Sequence, residues 1–226
     1  MKLPKLFVPE KDLENSIERL LKEPVKVQSR YKVICAVTFA EGIAKLKKQG
    51  RKPFTFAENI EARIADYEAN GDDAELFKTW FASVTGVAYK ARSTKFKLVL
   101  RSDKLENIPQ DFNQSFIPVD YDAEQGIELD SSKGKYGQAL TREEAKDHEF
   151  WIAVMGRDKE KLAKCVDIWF DKTEKNKGMG VYLRSNTDKD ELRALALYSD
   201  DYDYSGACVY DDLGYSARFV SGAQQK

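Results

Sequence analysis

The stretch GVAYKARSTKFKLVLR, residues 86–101, decides the fold class of this chain. Within it, apolar residues alternate with basic residues on both sides of the dipeptide Ser93-Thr94. Because successive side chains of a strand point to opposite faces, this alternation predicts a β-hairpin with one apolar face and one solvated, basic face. The chain changes here from a helical to an extended pattern.

The residues before this hairpin carry the signals of helices. Apolar residues from Leu13 to Leu21 recur at helical spacing after Pro9, which predicts a helix from about Glu10 to Glu23. The run Tyr31 to Val37 favours a short buried strand, with a helix as the alternative. A cap residue with an acid three positions later predicts the start of three further helices, ending near Lys48, Ala69 and Ser83: Thr38 with Glu41, Thr55 with Glu58, and Asp72 with Glu75.

A long connection follows the hairpin. Prolines, glycines and acids are frequent in residues 103–140, which leaves one short strand near Phe116 to Val119 and marks the only plausible domain boundary. Thr141 with Glu144 predicts a fourth capped helix, in which residues 150–155 fit either a helical face or a buried strand. Asp158 opens a clearer helix, and extended patterns follow over residues 181–183, 192–198, 206–210 and 215–219.

These patterns predict an α+β protein rather than the regular alternation of a parallel α/β sheet. The expected order is a helical N-terminal third, the β-hairpin, a further helix or helices, and a mainly antiparallel C-terminal β-meander. A chain of 226 residues with 42% hydrophobic content can bury one sizeable core. One domain spanning residues 1–226 is therefore expected, with a possible subdivision near residues 103–140.

Composition argues against several classes of protein. The 37 basic and 38 acidic residues nearly cancel, so only a local patch could attract nucleic acid. No apolar run approaches the roughly 20 residues that cross a bilayer. No signal peptide is readable, which favours a cytoplasmic protein without membrane partners. Cys35, Cys165 and Cys208 lack the paired spacing of a zinc site and are expected to be reduced core thiols.

The basic face of the hairpin is the most distinctive candidate site. No acid occurs between Glu75 and Asp103, and alternation places five cations on the exposed face: Lys90, Arg92, Lys95, Lys97 and Arg101. A two-stranded ribbon with these cations can follow the phosphates of a nucleic acid or of another polyanion. The alternative is an ordinary solvated strand face. In addition, the acid-rich residues 103–130 could pair with these cations within the chain.

A second candidate site is acidic. One segment matches the spacing of the EF-hand calcium loop, with oxygen ligands at Asp201, Asp203, Ser205 and Asp212. The last ligand is a short aspartate, tyrosines separate the first three, and a strand pattern follows where a helix belongs, so an acidic turn is favoured instead. The same acids with Asp200 could bind Mg²⁺ or Mn²⁺ for phosphodiester hydrolysis, as an alternative to Ca²⁺.

His148 is the only histidine of the chain, so any histidine-dependent proton transfer must use it. It is a weak catalytic candidate, since a histidine at the edge of an apolar helix face is usually a packing residue. No Gly-x-Ser-x-Gly elbow, Walker loop or dinucleotide fingerprint occurs.

Three functional hypotheses remain. The first is a non-catalytic binding or interaction protein that contacts a nucleic acid or another polyanion through the basic hairpin, with protein partners as an alternative. The second is a divalent-metal-dependent hydrolase or nuclease that uses the acids of residues 200–212, with His148 for proton transfer. A structural subunit of a larger assembly fits the composition equally well.

Overall fold

The structure is a computed structural model and describes residues 31–172, 178–184, 187–199, 204–209, 213–214 and 217–221. Helices and strands within these residues confirm the predicted α+β class. The helix predicted for residues 10–23 lies outside them. No helix in the described part of the chain is long and apolar enough to cross a membrane.

The first three elements lie where the sequence predicts them: β1 at Lys32–Ala36, α1 at Phe39–Lys48 and α2 at Phe56–Asn70. The Thr38 hydroxyl caps α1, and Thr55 forms a complete capping box with Glu58 at the start of α2. Gly50 and Gly71 follow the two helices with φ values of 66° and 55°. Glycine is favoured at both turns because a Cβ atom is strained in this conformation.

The helix predicted for residues 72–83 is wrong. Two short 3-10 turns, Gly71–Asp73 and Glu75–Lys78, lead instead into strand β2, Phe81–Tyr89. The Asp66 carboxylate of α2 organises this turn by accepting a hydrogen bond of 2.9 Å from the Leu76 amide. Every residue of β2 is buried, because the strand has a neighbour on each side and packs on both faces. The first residues of such a strand show no alternation.

Strand β2 pairs with β3, Lys95–Val99, in the predicted antiparallel hairpin, with Tyr89 opposite Phe96. β2 ends at Tyr89, so of the five predicted cations only Lys95 and Lys97 lie on a strand. The structure differs here from the prediction, in which all five cations share one strand face. The connection after the hairpin contains more regular structure than the single strand predicted: α3 at Asp103–Glu106, β4 at Ile117–Pro118, β5 at Ile127–Asp130 and β6 at Ala139–Leu140.

Three helices follow: α4 at Arg142–Asp147, α5 at Glu149–Val154 and α6 at Lys159–Lys172. Thr141 forms the predicted capping box with Glu144 at the start of α4. Residues 150–155, for which the sequence leaves helix and strand open, belong mainly to α5. Gly156, with φ of 64°, lies in the turn after that helix.

The remaining strands confirm the predicted extended segments: β7 at Gly178–Tyr182, β8 at Glu191–Ser199, β9 at Tyr204–Val209 and β10 at Ala217–Ser221. They are joined differently from a simple meander. The order in the large sheet is β5-β3-β2-β8-β9-β7-β6, with β4 beside β8, and the β7–β9 pair is parallel. β10 is not part of this sheet and pairs antiparallel with β1 in a separate two-stranded sheet, which brings the two ends of the described chain together.

The large sheet separates two apolar clusters. On β2, Val87 belongs to the cluster formed with α2, α5 and α6, and Val84 belongs to the cluster formed with α1 and β10. Trp151 and Trp169 are buried in the first cluster, and Phe219 is buried in the second. Burial on both faces makes the sheet a rigid support for the β2–β3 hairpin and the loops beside it.

Candidate functional site: the charged hairpin

The turn of the hairpin, residues 90–94, is fixed by the segment that precedes β8. The Ala91 amide donates to the Asp190 carboxylate at 2.7 Å, and the Arg92 amide donates to the Thr187 carbonyl at 2.8 Å. Arg92 has a positive φ of 54°, which places it at the tip of the turn with an exposed side chain. The turn is therefore ordered by backbone contacts, and the Arg92 guanidinium faces solvent.

Tyr121 is the centre of the contact between the hairpin and the connection that follows it. Its side chain is only 1% exposed, although it lies in a segment rich in acids and turns. The Lys97 ammonium lies 4.6 Å from the ring centroid, and it donates to the carbonyl oxygens of Tyr121 at 2.8 Å and Glu124 at 3.0 Å. Lys97 thus anchors residues 121–124 to the hairpin.

Two further lysines of the hairpin form ion pairs with the acids of this connection. The Lys90 ammonium lies 3.1 Å from Asp122 Oδ1, and the Lys95 ammonium lies 3.0 Å from Glu128 Oε1. The Tyr121 hydroxyl donates to the second oxygen of Glu128 at 3.1 Å. Hydrogen bonding lowers the pKa of Glu128 and raises the pKa of Lys95, while burial, followed by the bond to Glu128, raises the pKa of Tyr121.

Arg101, after the end of β3, joins three elements. Its guanidinium lies 3.0 Å from Glu58 of α2 and 3.0 Å from Glu106 of α3. Of the five predicted cations, Lys90, Lys95 and Arg101 form ion pairs with described residues, Lys97 binds main-chain carbonyls, and Arg92 makes no ion pair with the described residues. The intramolecular pairing that the sequence leaves open therefore occurs for Lys90 and Lys95 with residues 103–130, and for Arg101 with one acid inside and one outside that segment.

The lysine pairs are nevertheless accessible to solvent. The side chain of Asp122 is 77% exposed and that of Glu128 is 47% exposed. Ion pairs at such positions contribute little to stability and weaken as salt is added. The charges of Lys90 and Lys95 are thus balanced locally by carboxylates that are themselves exposed to solvent.

The structure places His148 away from solvent, at 8% exposure, between α4 and α5. Its ring packs edge-on against Tyr136 with centroids 5.0 Å apart, and the Tyr136 hydroxyl lies 3.0 Å from Glu149 Oε1. Burial lowers the pKa of His148, and the backbone of Lys135 and the charge of Glu149 oppose this effect. These contacts are those of a packing residue.

The acidic candidate site falls almost wholly outside the described residues. This applies to Asp200, Asp201, Asp203 and Asp212, whereas Ser205 belongs to β9 through its backbone. Within the described ranges, no group of three or more histidine, cysteine, aspartate or glutamate side chains is placed to hold a metal ion. Binding of Mg²⁺, Mn²⁺ or Ca²⁺ by the predicted acids stays a prediction.

Sequence reasoning identified the cations and the acid-rich segment, but it missed Tyr121 and Asp190. Asp190 accepts hydrogen bonds from the Ala91 amide at 2.7 Å and the Tyr121 amide at 3.2 Å, so one carboxylate holds both the turn and the connection. Tyr121 and Asp190 lie 69 positions apart. No local pattern relates them, and only the pairing of β8 with β2 and β4 brings them together.

Comparison with known proteins shows a fold relative. No protein-family model matches the sequence, and no curated protein matches it. A solved structure superimposes on this chain with a TM-score of 0.65. Its description reads "Accommodation of massive sequence variation in Nanoarchaeota by the C-type lectin fold". The match covers 88% of this chain and 100% of that chain at 17% sequence identity. The chain therefore has a C-type lectin-like fold.

Proposed function

We propose that this chain is a non-catalytic binding protein that contacts a polyanion, such as a nucleic acid, through the β2–β3 hairpin. The observation that carries the proposal is the hairpin turn, where Arg92 faces solvent on a backbone fixed by Asp190 and Thr187. Lys90 and Lys95 extend the cationic surface on either side of Arg92. A rigid sheet supports all three, which limits the loss of conformational freedom on binding.

The binding face divides into replaceable and fixed contacts. Lys90 and Lys95 pair with exposed carboxylates, and a phosphate oxygen can take the place of each carboxylate. Lys97 instead donates to three main-chain carbonyls, those of Tyr121, Asp122 and Glu124, and contacts the Tyr121 ring, so it maintains the structure of the face. We therefore assign polyanion contacts to Lys90, Arg92 and Lys95, with Arg101 at the margin.

The fold relative supports a binding role rather than a catalytic one. The Nanoarchaeota protein is described as a C-type lectin fold that accommodates massive sequence variation. Tolerance of variation is expected of a rigid scaffold whose loops form a binding surface, because loop residues can change without disturbing the core. In this chain the hairpin turn lies outside the buried strands and carries the exposed Arg92.

The test is fluorescence anisotropy of labelled single-stranded and double-stranded oligonucleotides at several salt concentrations. The variant Arg92→Gln/Lys95→Gln removes two of the assigned contacts. Arg157→Gln/Lys159→Gln is the matched control: both side chains are exposed, and Arg157 also has a positive φ, of 68°. Both variants change the net charge by the same amount.

We expect weak binding by the wild type, with a Kd of roughly 1–100 μM at physiological salt, and a steep loss of affinity as salt rises. Removal of two phosphate contacts should lower the magnitude of the slope of log K against log salt by about 1.8 for the double-stranded and about 1.4 for the single-stranded oligonucleotide. The control variant should behave as wild type. Equal losses in both variants, or no binding by wild type even at low salt, would reject the hairpin as a polyanion site.

A further inference from the structure

We propose that Asp122 and Glu128 compete with the polyanion for the lysines of the hairpin, so that the chain carries its own inhibitory contact. This inference rests on the proposed function and concerns the regulation of the same site. The carboxylates lie 3.1 Å from Lys90 and 3.0 Å from Lys95, which is the distance at which a phosphate oxygen would bind. The acids therefore occupy the positions that a bound polyanion requires.

Both acids are held over the hairpin by ordered structure. Before Asp122, the Tyr121 amide donates to Asp190 at 3.2 Å and the Tyr121 ring is buried. Glu128 lies on β5, which pairs antiparallel with β3 and places Glu128 opposite Lys97. The segment that carries both acids is attached at Tyr121 on one side and through β5 on the other. The effective concentration of the two carboxylates at the lysines is therefore far above that of a ligand in solution.

The anchor of this segment and its competing charges are different groups. Lys97 holds residues 121–124 through main-chain carbonyls, and a second anchor is the ion pair between Lys104 and Glu124. The Lys97 ammonium also donates to the Asp122 carbonyl oxygen at 3.4 Å, but neither anchor uses the side-chain carboxylate of Asp122 or Glu128. Neutralising those two acids should therefore free Lys90 and Lys95 while the segment keeps its position.

This separation makes the inference testable with isosteric changes. The variant Asp122→Asn/Glu128→Gln keeps the shape of both side chains, and the amide oxygen at position 128 can still accept the hydrogen bond from Tyr121. The matched control is Asp171→Asn/Glu68→Gln, which removes two exposed acids paired with Arg142 and Lys164 on the helices. Each variant raises the net charge from −1 to +1, that is, −1 plus 2.

The measurement is the anisotropy titration of one labelled single-stranded oligonucleotide at low salt, with thermal unfolding as a check on folding. We expect Asp122→Asn/Glu128→Gln to bind roughly three- to tenfold more tightly than wild type, since two exposed ion pairs no longer have to be exchanged. The control should stay within roughly twofold of wild type, because its added charge lies away from the hairpin.

Each other outcome has a definite meaning. If wild type binds and Arg92→Gln/Lys95→Gln weakens binding, but Asp122→Asn/Glu128→Gln binds no more tightly, the inhibitory contact is rejected while the proposed function stands. An equal gain in the control variant also rejects the contact, because net charge alone would then explain the effect. If Asp122→Asn/Glu128→Gln binds and wild type does not, the proposed function of the wild-type chain is rejected, and the inference that rests on it is rejected as well. Absence of binding by every variant rejects both proposals.

Discussion

Replacement of Arg193 by Met should remove much of the stability of this protein. Arg193 and Glu191 lie two positions apart on the same face of β8, and they are 2% and 4% exposed. The Arg193 Nε lies 2.6 Å from one carboxylate oxygen of Glu191, and Nη2 lies 3.3 Å from the other. The change therefore leaves a buried carboxylate without its guanidinium.

The expected loss is about 3–5 kcal/mol of unfolding free energy, the usual range when one partner of a buried pair is removed. Part of that loss comes from the 3.4 Å hydrogen bond to the Ser115 carbonyl and the stacking of the guanidinium over Phe116 at 5.3 Å. The double change Glu191→Gln/Arg193→Met should cost less than Arg193→Met alone, because no unpaired charge remains.

The assay is urea unfolding followed by circular dichroism, with the two single variants and the double variant forming a cycle. Arg142→Met, which removes a guanidinium paired with acids at the surface, is the control and should cost much less. A loss below about 1 kcal/mol for Arg193→Met, or a double variant as unstable as the sum of the single variants, would show that Arg193 and Glu191 are not a coupled buried pair.

Three other predictions follow from buried groups. His148 has a pKa lowered by burial, so the unfolded chain binds its proton first as the pH falls; stability should be full above about pH 6.5 and decline below it. His148→Phe should flatten that decline in thermal unfolding, and an unchanged pH profile would contradict the assignment. Gly206→Ala places a Cβ atom 2.2 Å from the Gly180 carbonyl oxygen, between the parallel strands β7 and β9. The change should lower the free energy of unfolding by roughly 1–3 kcal/mol or more, measured by urea unfolding. An unchanged midpoint of urea unfolding would show that the two strands can separate without penalty. Burial raises the pKa of the Cys165 thiol to about 12, so Cys165 should resist alkylation until the protein unfolds, and peptide mapping that finds it labelled in the native protein would contradict this.

Local signals were sufficient for the capped helices. Thr55 and Thr141 predict the starts of α2 and α4 because a capping box is read from residues only three positions apart. The same signal failed at Asp72, where the chain makes 3-10 turns before the central strand β2. Burial of β2 on both faces removes the alternation that identifies a strand, so tertiary context decided the outcome there.

The candidate site was predictable in its charges but not in its contacts. The cations of residues 90–101 and the acids of residues 103–130 are visible in the sequence, and their pairing is open on composition alone. Which acid meets which lysine depends on the pairing of β5 with β3 and on the burial of Tyr121, both of which are set by the sheet order. Long-range topology of this kind leaves no local pattern.

The hairpin can be tested as a polyanion-binding face by anisotropy titration of one labelled single-stranded oligonucleotide at low salt with three proteins. We expect the tightest binding by Asp122→Asn/Glu128→Gln, intermediate binding by wild type and the weakest binding by Arg92→Gln/Lys95→Gln. Equal affinities for the three proteins, or no binding by any of them, would contradict the assignment of the hairpin as a polyanion-binding face.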